Sequence, residues 1–181
     1  MLITLDESHR QLVHQVRDHA GEWLAAKGTD QYRGGLDMDQ VHANIDADFD
    51  RFPFVGWEID GRVAAMMAII DPEEDFWTPE ELTESQTYIS RFFVVEHGKD
   101  YGSALLEAVI DRARQEGKRW MRLNCWSTNT RLHEYYVRHG FTHVRTADVP
   151  GRMSGALLQR DLVSSDVAER AGEDEVGVYS A

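Results

Sequence analysis

The chain is nearly without cysteine: Cys125 is the one thiol among 181 residues. No internal disulfide can form, which fits a reducing compartment. Long apolar runs are missing too, and nothing approaches the roughly 20 residues that a membrane-spanning helix needs. The opening stretch, MLITLDESHRQ, turns acidic and polar at once, so no secretory leader is expected. A cytoplasmic protein that does not engage membranes is the expectation. Positive charge is also scarce, with 19 Lys and Arg against 32 Asp and Glu and a formal net charge of −13. That argues against nucleic acid as a partner, because phosphate backbones are gripped mainly by Lys and Arg. Metal-ligand spacing is lacking. His133-Glu134 and His139 superficially suggest a zinc-protease helix, but the two histidines are six apart and fall on different faces, so no metal is expected.

What remains is an ordinary globular composition, 42% hydrophobic, long enough to bury a core in one domain. That domain is expected over residues 1–163. The last stretch, SSDVAERAGEDEVGVYSA (164–181), is an acidic tail too polar to hold a core.

Periodicity then orders the domain. Residues 2–5 suit a short edge strand. Apolar residues at Leu12, Val13, Val16, Ala20, Trp23 and Leu24 have helical spacing, and Gly28 stops that helix. Asp37 is placed to cap a second helix, MDQVHANIDADFDRF, which ends near Pro53 and carries Asp39, Asp46, Asp48 and Asp50. FVGWEI and RVAAMMAII, joined by Asp60-Gly61, read as a hairpin. Its second strand is so apolar that both faces should be covered. Residues 71–86 form an acidic loop with Phe76 and Trp77. HVRTADV and SGALLQRDL suit a terminal antiparallel pair. The fold class is α+β, a mixed sheet flanked by helices.

The informative stretch is Thr87–Phe141. A strand runs into a small-residue loop, HGKDYGS, which opens directly into the helix ALLEAVIDRARQEG. The first amides of such a helix lack partners and its dipole favours negative charge, so this is an anion site. A second strand, RWMRLNCW, and the segment NTRLHEYYVRHGF follow. Cys125, a lone thiol on a buried-looking strand, reads as packing.

This stretch resembles the cofactor half of the GNAT superfamily of N-acetyltransferases. YISRFFV stands at that family's thioester-binding strand, YGSALLEAVIDRARQEG at its pyrophosphate turn and helix, and LNCWSTNTRLHEYYVRHGF at its strand, Asn and Tyr before Gly-Phe. WLAAKGTDQY (23–32) resembles a segment between the first two helices of some bacterial members. The resemblance implies a twisted mixed sheet with two splayed strands and acetyl-CoA as acyl donor. It places Phe93, Val94 and Val95 along the pantetheine arm, with the amide of Val94 or its neighbour on the thioester carbonyl. It assigns the pyrophosphate to Gly98, Lys99, Tyr101, Gly102 and Ser103, and a cofactor contact to Asn129. Tyr136 takes the role of acid for the departing thiolate, with Tyr135 turned away. His97 and Asp100 depart from the family motif, which has Gln or Arg and Gly there. Asp100 is expected to point outward or to pair with Lys99. Trp23, Tyr32, Tyr88 and Trp126 are assigned to the acceptor. The acceptor is expected to be a small primary amine, cationic by the chain's charge balance. A homodimer through exposed terminal strands is also expected. The alternative is a GNAT-like binding, sensor or sequestering protein without catalysis.

Overall fold

The structure, a computed structural model, describes residues 1–31 and 37–163. Tyr32 and the tail from residue 164 lie outside them. Elements follow in the order β1 (Leu2–Thr4), α1 (Arg10–Ala26), α2 (Met38–Arg51), β2 (Phe54–Ile59), β3 (Arg62–Ile70), α3 (Pro79–Leu82), β4 (Gln86–Val94), α4 (Tyr101–Gln115), β5 (Trp120–Cys125), α5 (Thr130–Arg138), β6 (Thr142–Thr146) and β7 (Ala156–Asp161). Local chemistry explains the boundaries. Asp37 caps α2 by accepting from the amides of Asp39 and Gln40. Asp60 (φ 49°) and Gly61 (φ 72°) supply the two left-handed residues of a type I′ hairpin. The loop over residues 71–86 holds a helical turn that periodicity does not announce. Thr78 and Glu81 close it with a reciprocal capping box.

The strands form one sheet in the order β1-β2-β3-β4-β5-β7-β6. All neighbours are antiparallel except β4 and β5, which α4 connects as a crossover. β3 is central, as its composition implies, and its alternation builds both cores. Ala65 and Met67 face α4, with Leu105, Leu106, Val109 and Ile110. Met66 and Ala68 face α1 and α2, with Val13, Val16 and Ile45. A third cluster, Phe76, Trp77, Tyr88 and Leu157, lies under the residue 71–86 loop.

Two departures from regular pairing position the site. The parallel ladder of β4 and β5 covers only Gln86↔Trp120, Thr87↔Met121 and Tyr88↔Arg122; beyond Tyr88 the strands part. On its other edge, β4 carries a bulge against β3. Met66 faces Phe93 and Ala68 faces Ser90, so Met67 alone opposes Arg91 and Phe92. Arg91 takes φ 47°, unusual for a long side chain, and its guanidinium is held by Asp48 of α2.

Candidate active site

The gap between β4 and β5 opens into a continuous cleft of about 1730 Å³. One end is the N-terminus of α4, and the other lies between α1, α2 and residues 71–74. Along β4, the Val95 amide donates to the Ala64 carbonyl at 2.9 Å while Ala65 faces Val94. Successive residues of a strand turn their amides to opposite edges, so the Val94 N–H points into the gap. The Val95 amide belongs to the sheet, and Val95 is not among the residues that line the cleft.

At the α4 end, Ala104 is the first amide bonded within the helix, to the Asp100 carbonyl at 3.0 Å. The amides of Tyr101, Gly102 and Ser103 have no acceptor within it. Asp100 stands at the N-cap with φ 53°, the left-handed conformation a glycine would take there, and Asp is among the residues that tolerate it. Asp100 is exposed and lines the mouth of the cleft. The expected pairing does not form, because Lys99 turns its ammonium to Glu96 at 3.3 Å and stays out of the cleft lining. Gly102 is fixed by close approach. A Cβ there would stand 2.8 Å from Val94 Cγ2 and 3.5 Å from the Tyr135 hydroxyl.

On the opposite wall α5 begins at Asn129, whose side chain caps it by accepting from the Leu132 amide. Its amide nitrogen donates to Gln31 Oε1 at 2.7 Å. Trp126 and Thr128 both donate to Asp30 Oδ1, so the connection after α1 is fastened to the start of α5. Tyr135 and Tyr136 both line the cleft. Tyr136 is 5% exposed, edge-on to Phe141, and Tyr135 leans towards Gly102 with its hydroxyl buried. The two adjacent phenols thus point to different parts of the cleft, Tyr135 to the α4 terminus and Tyr136 to the Phe141 side. Burial raises the Tyr135 pKa above the ordinary phenol value.

Among acceptor candidates, Trp23 lines the cleft, stacked on His97 at 4.3 Å, with the Lys27 ammonium 5.5 Å from its ring centroid. Burial, and then Lys27, lower the His97 pKa. Tyr88 is placed apart from the cleft lining. It precedes the point where the strands part, is 1% exposed, and lies in the third cluster. There it accepts from Trp77 and donates to Asn124. The carboxylates at this end are mostly matched: Asp48 with Arg91, Asp71 with Arg51 and Glu73 with Arg152. Glu74 has no ion pair among the described residues.

Three features escape sequence reasoning: the Arg91 bulge, the Trp23–His97 stack, and a polar string formed by Ser103, His139 and Glu107. Each joins residues far apart in the chain, and none leaves a periodic or spacing signal.

Splayed parallel strands above a free helix N-terminus define an acyl-transfer cleft for a nucleotide-borne thioester. The model of the acetyltransferase (GNAT) family matches residues 10–141, and the chain belongs to that family of acetyl-CoA-dependent acyltransferases. No curated protein matches it in sequence. Solved structures share the fold. A putative GNAT-family acetyltransferase from Desulfovibrio desulfuricans is 16% identical, with TM-score 0.66, covering 90% of this chain and 99% of its own. A GNAT acetyltransferase from Listeria monocytogenes is 20% identical, with TM-score 0.65 and coverages of 89% and 94%. A putative acetyltransferase from Salmonella typhimurium, solved with its cofactor acetyl-CoA, is 22% identical, with TM-score 0.59 and coverages of 90% and 93%.

Proposed function

We propose that the protein transfers an acetyl group to a primary amine of a small molecule by direct attack within the β4–β5 gap. The observation that carries this is the parting of the two strands beyond Tyr88, directly above the free amides of α4. The residues present fit the donor. Phe93 and Val94 line the slot, Gly102 leaves room where a side chain would intrude, and Gly98, Tyr101, Gly102 and Ser103 line the anion end. Bound there, acetyl-CoA supplies an activated thioester carbonyl. The Val94 N–H donates to the oxygen that gains negative charge, as an oxyanion-hole donor does. Tyr136 Oη holds the proton that a thiolate leaving group needs. Trp23 and Trp126 supply flat walls at the acceptor end.

An amine entering from the α1–α2 side meets Glu74 and the arginine-matched carboxylates Asp48, Asp71 and Glu73. Alternating charges of this kind favour an ammonium whose carrier also bears polar or anionic groups over a bare polyamine. No carboxylate projects from β4, where Ser90 lines the cleft, so the attacking amine loses its proton to water. The test is thiol release from acetyl-CoA across a panel of primary amines, with mass analysis of the product. An N-acetylated amine is expected. Acetyl-CoA binding without turnover on any amine would favour the non-catalytic alternative.

A further inference from the structure

The string behind Ser103 has no part in the reaction described above. Ser103 lies in the first turn of α4 and lines the cleft. Its Oγ is 3.1 Å from His139 Nε2, and His139 Nδ1 is 2.8 Å from Glu107 Oε1. Arg160 of β7 donates Nη1 to both Glu107 oxygens at 3.2 Å and to the His139 carbonyl at 2.8 Å. The Tyr135 ring is 4.7 Å from the His139 ring. The charged groups around His139 are therefore Glu107 from α4 and Arg160 from β7, with Arg138 next to it in the chain. Tyr135 and Ser103 are its neutral neighbours.

Hydrogen-bond polarity decides what this string can do. A carboxylate only accepts, so Nδ1 carries a hydrogen towards Glu107. With a neutral imidazole, Nε2 is bare, and Ser103 must aim its hydroxyl hydrogen at the ring. Only oxygen lone pairs then face the cleft, which repels a phosphate. With an imidazolium, Nε2–H donates to Ser103 Oγ, and the hydroxyl hydrogen is free to turn to a phosphate oxygen. We propose that His139 is a positioning residue that sets the direction of the Ser103 hydroxyl, and that a diphosphate arriving at the α4 N-terminus draws one solvent proton onto His139 Nε2. The inference rests on the α4 cradle proposed above. A Ser–His–Glu string also has the composition of a nucleophile relay, but Arg160 spans Glu107 and neutralises the charge such a relay relies on.

Calorimetric titration of CoA in two buffers of different ionisation heat counts the protons taken up. Binding of CoA to the wild type should take up protons, and pantetheine, which has no phosphate, should give no uptake. His139→Gln can donate an amide hydrogen to Ser103 permanently. It is expected to bind CoA within roughly threefold of wild type, with the uptake lost and a flatter pH profile, whereas His139→Ala binds roughly tenfold more weakly. Ser103→Ala is expected to lose the uptake while leaving His139 in place. No uptake by the wild type, or uptake that persists in either His139→Gln or Ser103→Ala, overturns the proposal. Failure of the wild type to bind CoA at all would overturn the cradle itself.

Discussion

Tyr135 and Tyr136 occupy the same wall but face different chemistry. Tyr136 sits deep, packed on Phe141, beside the gap, and Tyr135 reaches the α4 terminus. Tyr136→Phe should lower kcat by roughly ten- to a hundredfold while leaving the KM for acetyl-CoA within about twofold, as for loss of a general acid. Steady-state kinetics separates the two parameters, and an unchanged kcat would remove Tyr136 from the acid role. Cys125 lies nearby, but burial pushes its thiol up to about 12. It should resist alkylation in the native state at mildly alkaline pH, as mass analysis after iodoacetamide treatment would show. Glu81 titrates at the other extreme. Its hydrogen bonds from Arg145, offset in part by burial, bring its carboxyl down to about 2. A folded pKa below the ordinary value means that this pair stabilises the fold fully above pH ~4.5 and loses its contribution as pH falls towards ~2. Glu81→Gln should therefore be less stable than wild type at neutral pH, with the gap closing in acid, which urea titrations across pH would reveal.

At the scale of elements, the residue 71–86 loop shows how a segment without periodicity is held. Arg122, 2% exposed, lies over the Trp77 and Trp120 rings. It donates to Glu84, to the Glu81 carbonyl and to Gln159. Removing it strands these acceptors, so Arg122→Ala should cost about 3–5 kcal/mol, measured by urea unfolding. α4 depends on the opposite device, absence of a side chain. Gly102→Val would force the helix away from Val94 and should cost about 1–3 kcal/mol and weaken acetyl-CoA binding. The helices and strands are legible in the sequence because their apolar residues repeat at 3.6 or 2 and their ends carry Asp37, Gly28 and Asp60-Gly61. Arg122 is not legible. It falls on the alternating polar face of β5, and only the loop folding back from residues 71–86 buries it. The place of Tyr88 is illegible for a related reason: it belongs to the strand that lines the cleft, but register puts it before the strands part. The anion end of the site can be read from a loop that opens into a helix. The wall that fastens Asp30 and Gln31 to Trp126, Thr128 and Asn129 cannot, because about a hundred residues separate the partners.

Across the whole molecule, the sheet works as a frame for one opening. β3 anchors two cores, α4 closes one face, α1 and α2 close the other, and among the described residues the β4–β5 seam is left apart. The Arg91–Asp48 pair ties the bulged edge of that seam to α2, so acceptor side and donor strand are mechanically joined. Acetyl-CoA occupying this seam, as proposed, would put its carbonyl at Val94 and its phosphates at the α4 terminus. Amide hydrogen exchange with and without acetyl-CoA tests it most directly. Slowed exchange is expected at Val94 and at Tyr101, Gly102 and Ser103, with the β1–β2 and β6–β7 edges unchanged. Binding that leaves those four amides exchanging at their free rates would contradict it.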